Sequence, residues 1–322
     1  MSSPSNNKVI DSHLHIWATH DESQSAYPYS SPSQTPPSNL INKASPQCLL
    51  EQMKHANVHG SLIVQPINHL YDHSYVIHAI TNHPDKFKGM MLFDPTSSST
   101  IALERLEELV LKGFVGVRFN PYLWKESQSE SINNSNDNNH NLKYMSNGSG
   151  LQVYKRCGEL GIPVGIMCFK GLDLHYDDII DLIQKSPQTI LILDHFGFTF
   201  LSDNDDDGDK DEKNDKLFNL LLSLAKYDNV IVKISALFRI AGPGNDLYPY
   251  HRVKEERFDV LLETFGKDRL MFGTDFPFVL EQHGAYKGTV DLVKQWTDGD
   301  VDVQNAIMYE NAERLFGVWG SQ

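Results

Sequence analysis

Short runs of β-branched and large apolar residues recur eight times along the chain, at residues 9–16, 61–65, 89–93, 116–119, 163–167, 189–193, 230–234 and 270–273. Nearly all are continuously apolar rather than alternating, which is the pattern of parallel strands covered on both faces. The stretches between them carry helical spacing. Ser45-Pro46 reads as an N-cap with proline at the first helical position, followed by Leu49, Leu50 and Met53 on one face. Residues 101–111 place Leu103, Leu106, Leu109 and Val110 along a stripe, with Gly113 just beyond. Residues 217–225, 258–265 and 302–316 repeat the pattern. Strands alternating with helices predict an α/β fold, a single (β/α)8 TIM-type barrel with inserted loops spanning residues 9–322 after a disordered tail. An open doubly wound sheet competes less well, because no Gly-x-Gly-x-x-Gly turn follows any strand.

Three stretches break the rhythm. Residues 21–40 are rich in Ser, Pro and Tyr and would rise over the barrel mouth. Residues 125–150 are Asn/Ser low complexity and read as a disordered insertion after the fourth strand. Residues of about 202–215 resemble a calcium loop, but Asn214 stands where a bidentate Glu belongs, so the stretch reads as a solvated acidic loop.

Composition narrows the partners. The 322 residues carry a net charge of −14, much of it from the acidic stretch, and no basic stripe; nucleic acid and anionic membranes are therefore not expected. No apolar run reaches the roughly 18 residues needed to span a membrane, and no signal peptide is visible. Three scattered cysteines suit free thiols in a reducing compartment, so a cytoplasmic location is expected. A homo-oligomer is compatible with all of this.

In a barrel, chemistry gathers where the strands end. Those positions carry His13 and His15, then Gln65, Asp94, Arg118 with Asn120, Cys168 with Lys170, Asp194 with His195, Ser235 with Arg239, and Asp275, whereas the strand interiors carry almost no polar residue. His13 and His15 share one face of their strand, as half of a metal site or a polar pair over a substrate. Any one of these residues could merely cap a loop, but together they read as a site. Arg118, Lys170 and Arg239 suggest an anionic small-molecule substrate gripped by guanidinium forks, although each could instead pair with Asp94, Asp173 or Asp194. Tyr27, on the long first loop, could cover the ligand or pack on Trp17. Cys168 has no adjacent histidine that would make it a nucleophile.

The runs Val9-Ile-Asp-Ser-His-Leu-His15, Asp194-His-Phe-Gly197, Val232-Lys-Ile-Ser235, Gly273-Thr-Asp-Phe-Pro277 and Asn311-Ala-Glu-Arg-Leu-Phe316 together resemble the amidohydrolase superfamily. More narrowly they resemble its amidohydrolase-related branch of sugar-lactone and pyrone-dicarboxylate lactonases and some decarboxylases. Gln65-Pro-Ile-Asn68, Arg118-Phe-Asn-Pro121 and Ser235-Ala-Leu-Phe-Arg239 are similar to plant and algal members of uncharacterised activity. The resemblance runs from Val9 to Phe316 and implies metal positions at His13, His15, His195 and Asp275. It implies one divalent ion, zinc or manganese, although the lactonase branch also has members that work without metal. Arg118 stands where two-metal members bring a bridging carboxylated lysine or glutamate, and the fifth strand offers no histidine, so a two-metal site is not expected. Asp275 is then the expected general base and His195 the group that orients water or polarises the carbonyl. Gln65, Arg118, Asn120, Lys170, Arg239 and Tyr27 are the expected substrate contacts. Hydrolysis of a lactone of a sugar acid or carboxylated ring is the expected reaction. A metal-dependent decarboxylase and a catalytically inactive metabolite-binding barrel are the alternatives.

Overall fold

The eight apolar runs form eight parallel strands: β1 (Ile10–Leu14), β2 (Gly60–Val64), β3 (Phe87–Leu92), β4 (Phe114–Phe119), β5 (Val164–Ile166), β6 (Leu191–Leu193), β7 (Val230–Ile234) and β8 (Leu270–Phe272). They are hydrogen-bonded in chain order. A bridge between Leu14 and Phe276, with His15 N–H donating to Phe276 O at 2.7 Å, brings the end of β8 back to β1. The computed structural model describes residues 8–124, 144–201, 208–242 and 246–320 of this nearly closed barrel.

Each crossover between strands carries a helix. In order these are α1 (Pro46–Ala56), α2 (Ser74–Asn82), α3 (Ser99–Val110), α4 (Gly148–Leu160), α5 (Tyr176–Lys185), α6 (Gly208–Ser223) and α7 (Asp259–Phe265); α8 (Ala285–Trp296) and α9 (Asn311–Phe316) follow β8. Ser45 caps α1 through Cys48 N–H, ahead of Pro46, as its sequence predicts. The acidic stretch departs from expectation. Residues from Gly208 onward are the first turns of α6 rather than a loop, while residues 202–207 lie outside the described residues. Likewise residues 148–150 begin α4, and 125–143, with the tail 1–7, lie outside the described residues. Among the described residues no helix is long and apolar enough to cross a membrane.

The strands are buried on both faces, and side-chain alternation sorts their residues into two sets. Val230, Val232 and Ile234 of β7 face the helices; Ile231, Lys233 and Ser235 face the barrel interior. Stacked from the bottom, the interior begins with an apolar layer of Ile10, Met90, Ile192, Ile231 and Met271, closed from below by Phe316 and Trp319. Two residues further along the strands comes a layer holding Arg118, Asp194 and Lys233, then the mouth. The expectation of apolar strand interiors therefore fails at Lys233, which sits fully buried inside the barrel.

β1 reaches this layer by an irregularity. Asp11 pairs with Ser61, but Leu14 pairs with Ile63, so β1 carries one extra residue. Ile10 and His13, three apart, can then both face inward, which strict alternation would forbid. Asp11 stabilises the bulge: its carboxylate accepts from His13 N–H (3.2 Å), Thr274 N–H (3.0 Å) and the Thr274 hydroxyl (2.6 Å). The same side chain thus ties β1 to the end of β8. Gly273 is needed beside it, because a Cβ there would lie 2.8 Å from His13 Cβ and 3.1 Å from Ser235 Cβ.

A buried histidine away from the mouth supplies a stability test. His73 Nε2 accepts from Leu92 N–H (3.1 Å), so its Nδ1 carries the proton toward Tyr71 O (2.8 Å). Burial, helped by Arg105, pushes its pKa from 6.5 down to about 4. Between those values the unfolded chain takes up a proton that the folded chain refuses, so stability falls as pH falls through that window. Of the change in unfolding free energy between pH 7 and pH 5, measured in urea, His73 should account for on the order of 1–3 kcal/mol. His73→Gln should show a smaller pH dependence; an unchanged dependence would contradict this assignment.

Candidate active site

The carboxylate of Asp194, at the end of β6 and fully buried, is the centre of the ionic layer. Oδ1 lies 3.1 Å from His13 Nδ1 and 3.5 Å from Lys233 Nζ, and Oδ2 accepts from Arg118 Nε at 3.1 Å. His13, Arg118 and Lys233 come from β1, β4 and β7, so these contacts cross the barrel interior. Although burial opposes ionisation, His13, Arg118 and Lys233 together hold Asp194 well below the usual carboxylate range. Burial presses Lys233 down to about 8 against the pull of Asp194.

These contacts fix proton positions. Lys233 Nζ, which can only donate, also lies 3.3 Å from His13 Nδ1, but the ionised Asp194, which can only accept, is nearer at 3.1 Å; with Nδ1–H given to Asp194, His13 Nε2 bears a lone pair. That Nε2 is buried without a hydrogen-bond partner among the described residues. His15 follows the same rule: Nδ1 lies 2.8 Å from Val64 O, which can only accept, leaving Nε2 bare. Burial, the largest influence, lowers the pKa of His13 to about 3 and that of His15 well below 6.5, so both rings are neutral. Facing them is Asp275 just past β8, with Oδ1 3.7 Å from His15 Nε2 and 3.9 Å from His195 Nε2. Its Oδ2 accepts from Arg239 Nε at 2.8 Å. Burial raises the Asp275 pKa to about 6, against Arg239.

Atoms of His13, His15 and Asp275 thus converge within 4.8 Å of one another. Two imidazoles and a carboxylate meet there, with Arg239 and His195 at the edge of the trio, an arrangement that a cation or a water would complete. The donor set fits a divalent ion, since two imidazole nitrogens are preset by groups behind them and joined by a carboxylate. His195 stands beside the trio, its ring 4.3 Å from that of His13 and its Nδ1 2.8 Å from Ser235 Oγ. The backbone is left-handed at His195 (φ 51°), Ala236 (φ 54°) and Asp275 (φ 63°), so three adjacent strand ends hold a conformation that costs energy in non-glycine residues.

Above this floor opens a cavity of about 290 Å³. Trp17, Ile67, Leu92, Phe198 and Phe278 give it apolar walls, and Gln65, Arg118, Asn120 and Arg239 line it too. Gln65 donates from Nε2 to Leu70 O and Asp72 O, leaving a buried, unpartnered Oε1. Asn120 Oδ1 accepts from Tyr122 N–H, which frees its NH2 group. Arg118 and Arg239 each use Nε on a carboxylate, and among the described residues their terminal nitrogens stay available to a ligand. Arg239 also stacks on Phe278, 4.8 Å from the ring centre.

Two expected contacts lie elsewhere. Tyr27 packs on Tyr75 (4.9 Å) and His78 (5.7 Å), away from the cavity and from Trp17. Its loop instead braces the β2–α2 connection through Ser30 N–H to Asn68 O and Asn68 Nδ2 to Gln34 O. Lys170 is exposed and sits over the rings of Tyr122 and Phe169. Asp94 caps its own turn through Thr96 and Ser97. Burial raises the Cys168 thiol pKa, which keeps it protonated. Conversely, Trp17, Phe278 and Lys233 escaped sequence reasoning. For Lys233 a signal existed: a lysine on the inward side of a strand apolar on both faces.

Asp194→Ala would leave Arg118 and Lys233 buried without their counter-ion. Equilibrium unfolding should then show a loss of on the order of 3–5 kcal/mol. A loss below about 1 kcal/mol, the scale of an exposed pair, would mean that Asp194 does not organise the layer.

Comparison with known proteins places the chain in a family. The amidohydrolase family model, Amidohydro_2, matches residues 10–318. No curated protein matches the chain. Among solved structures, the chain is similar to a probable 2-pyrone-4,6-dicarboxylic acid hydrolase from Acinetobacter baumannii with citric acid bound, at 21% identity and a TM-score of 0.66 over 96% of this chain and 99% of that one. It is similar to an amidohydrolase from Burkholderia multivorans with bound zinc, at 19% identity and a TM-score of 0.71 over 96% and 99%. A 2,6-dihydroxybenzoate decarboxylase from Rhizobium aligns at 15% identity and a TM-score of 0.60 over 96% and 98%. At such identities the structures attest the shared barrel, and the family match over nearly the whole length makes this chain a member of the amidohydrolase family.

Proposed function

We propose that this chain is a hydrolase that opens a lactone or related cyclic ester bearing a carboxylate, with Asp275 as its general base. The observation that carries this reading is the buried Asp275 carboxylate, raised to about 6 and set against the bare Nε2 of His15 at the floor of the cavity. A base of that strength is ionised at neutral pH and accepts a proton more readily than an exposed aspartate. Asp275 would take the proton of the attacking water and return it to the leaving alkoxide. When Ser235 donates its hydroxyl proton to His195 Nδ1, the His195 Nε2–H is free to stabilise the oxyanion that forms on the carbonyl oxygen. The terminal nitrogens of Arg118 and Arg239, with the Asn120 amide, would grip a substrate carboxylate, and Gln65 Oε1 would accept from a substrate hydroxyl. A divalent ion such as zinc held by His13, His15 and Asp275 would polarise the carbonyl and make the attacking water more acidic. Similarity to the probable pyrone-dicarboxylate hydrolase from Acinetobacter baumannii supports a carboxylated ring as substrate.

A second reading is a metal-dependent decarboxylase. The converging acceptors of His13, His15 and Asp275 and the similarity to the Rhizobium decarboxylase favour it.

One assay separates the two. Wild type and Asp275→Asn would be offered carboxylated lactones and aromatic carboxylates, both metal-stripped and zinc-supplemented. Ester opening should fall about 10²–10⁴-fold in the variant with the fold unchanged. The base acts only when deprotonated, so kcat/KM of the metal-stripped wild type should rise through about pH 6 and level off above it. Near-native activity in the variant would remove Asp275 as base. Release of carbon dioxide under strict metal dependence, without ester opening, would replace the first reading with the second.

A further inference from the structure

A second cleft of about 150 Å³ adjoins the main cavity. Phe169 and Phe198 line both, their ring centres 6.4 Å apart, so together they form a shared wall. The far side of the cleft is made by Lys170, Phe200, Lys213 and Leu217, from the connections after β5 and β6 and from α6. Phe169 is 41% exposed, so part of its ring faces the open side of the two clefts. Lys170 Nζ rests 4.9 Å from the centre of the Tyr122 ring and 5.5 Å from that of Phe169. Neither Lys170 nor Lys213 has a carboxylate partner among the described residues. One ammonium over two aromatic rings and a second lining the same cleft, neither paired with a carboxylate among the described residues, make a place suited to an anion on an apolar stem.

We propose that this cleft is a distal subsite that receives a second anionic group of the substrate. The substrate class would be two-part: a carboxylated ring in the main cavity, and an apolar or aromatic arm passing Phe169 and Phe198 to end in a carboxylate between Lys170 and Lys213. The identity of the ring as an ester substrate rests on the hydrolase reading above, but the subsite itself is a matter of binding. Because the cleft opens off the cavity wall away from the Asp275 floor, it selects among substrates by length and charge and takes no part in the bond-breaking step.

Calorimetric titration of the full chain with two non-hydrolysable probes tests this directly. Isophthalate fills only the main cavity; a biphenyl dicarboxylate reaches past the phenylalanines. The longer probe should bind wild type about fivefold or more tightly than isophthalate, as two partly exposed ion pairs and a covered ring allow. Lys170→Gln/Lys213→Gln should erase that advantage and leave isophthalate binding unchanged, while Lys170→Arg/Lys213→Arg should keep it. Equal affinity of both probes for wild type, or an advantage that survives the glutamine substitutions, would overturn the subsite. So would inorganic phosphate binding in a lysine-dependent way without competing with the longer probe, which would mark an independent anion site. Failure of every lactone to turn over would count against the hydrolase reading alone, because these titrations do not depend on turnover.

Discussion

The buried carboxylate of Asp194 is the constraint on which the rest of this barrel depends. One side chain at the end of β6 meets His13 of β1, Arg118 of β4 and Lys233 of β7, and the three partners offset a desolvation cost that would otherwise drive the acid neutral. An ion cluster at this depth stabilises little on its own account compared with well-packed apolar residues. What it supplies is orientation. Three strands that are not neighbours are brought to one point, and the apolar layer beneath keeps water from reaching it from below.

From that point the chemistry of the mouth follows by hydrogen-bond bookkeeping. Because Asp194 and Val64 O can only accept, the Nε2 lone pairs of His13 and His15 are left bare, that of His15 3.7 Å from Asp275. The bulge at Asp11 puts His13 on the inner face in the first place, and Gly273 leaves room for the close approach of the His13 backbone and Cβ. Arg239 engages only Oδ2 of the buried Asp275, which leaves Oδ1 toward the histidines. The apolar walls of Trp17, Phe198 and Phe278 then set a low dielectric around a few directed polar atoms, the usual composition of a small-molecule site.

Much of this was legible in the sequence, for a physical reason. Parallel strands buried on both faces must be continuously apolar, so polar residues just beyond their ends stand out: His15, His195, Arg118, Asn120, Arg239, Gln65 and Asp275 line one cavity, and His13 lies buried beneath it. What escaped depends on contacts that no local pattern encodes. Lys233 looks like an anomaly in an apolar strand until Asp194 is seen opposite it. The bulge in β1 is a matter of register between two strands. Tyr27 and Lys170 sit on connections whose direction is set by packing on Tyr75 and Tyr122, so closeness in sequence to a strand end said nothing of which cavity they face. The acidic stretch was misread from Gly208 onward because it has few apolar residues to mark a helix; the apolar stripe of α6 begins only at Leu217.

The central claim is that His13 and His15 are neutral rings protonated on Nδ1, with both Nε2 lone pairs left bare. Nitrogen NMR of the histidine side chains in metal-stripped protein reads this directly, with His13→Gln and His15→Gln used to assign the signals. At neutral pH each ring should show a protonated Nδ1 and a bare Nε2. Protonation on Nε2 of either ring, or a doubly protonated ring, would contradict the convergence of acceptors from which the site has been built.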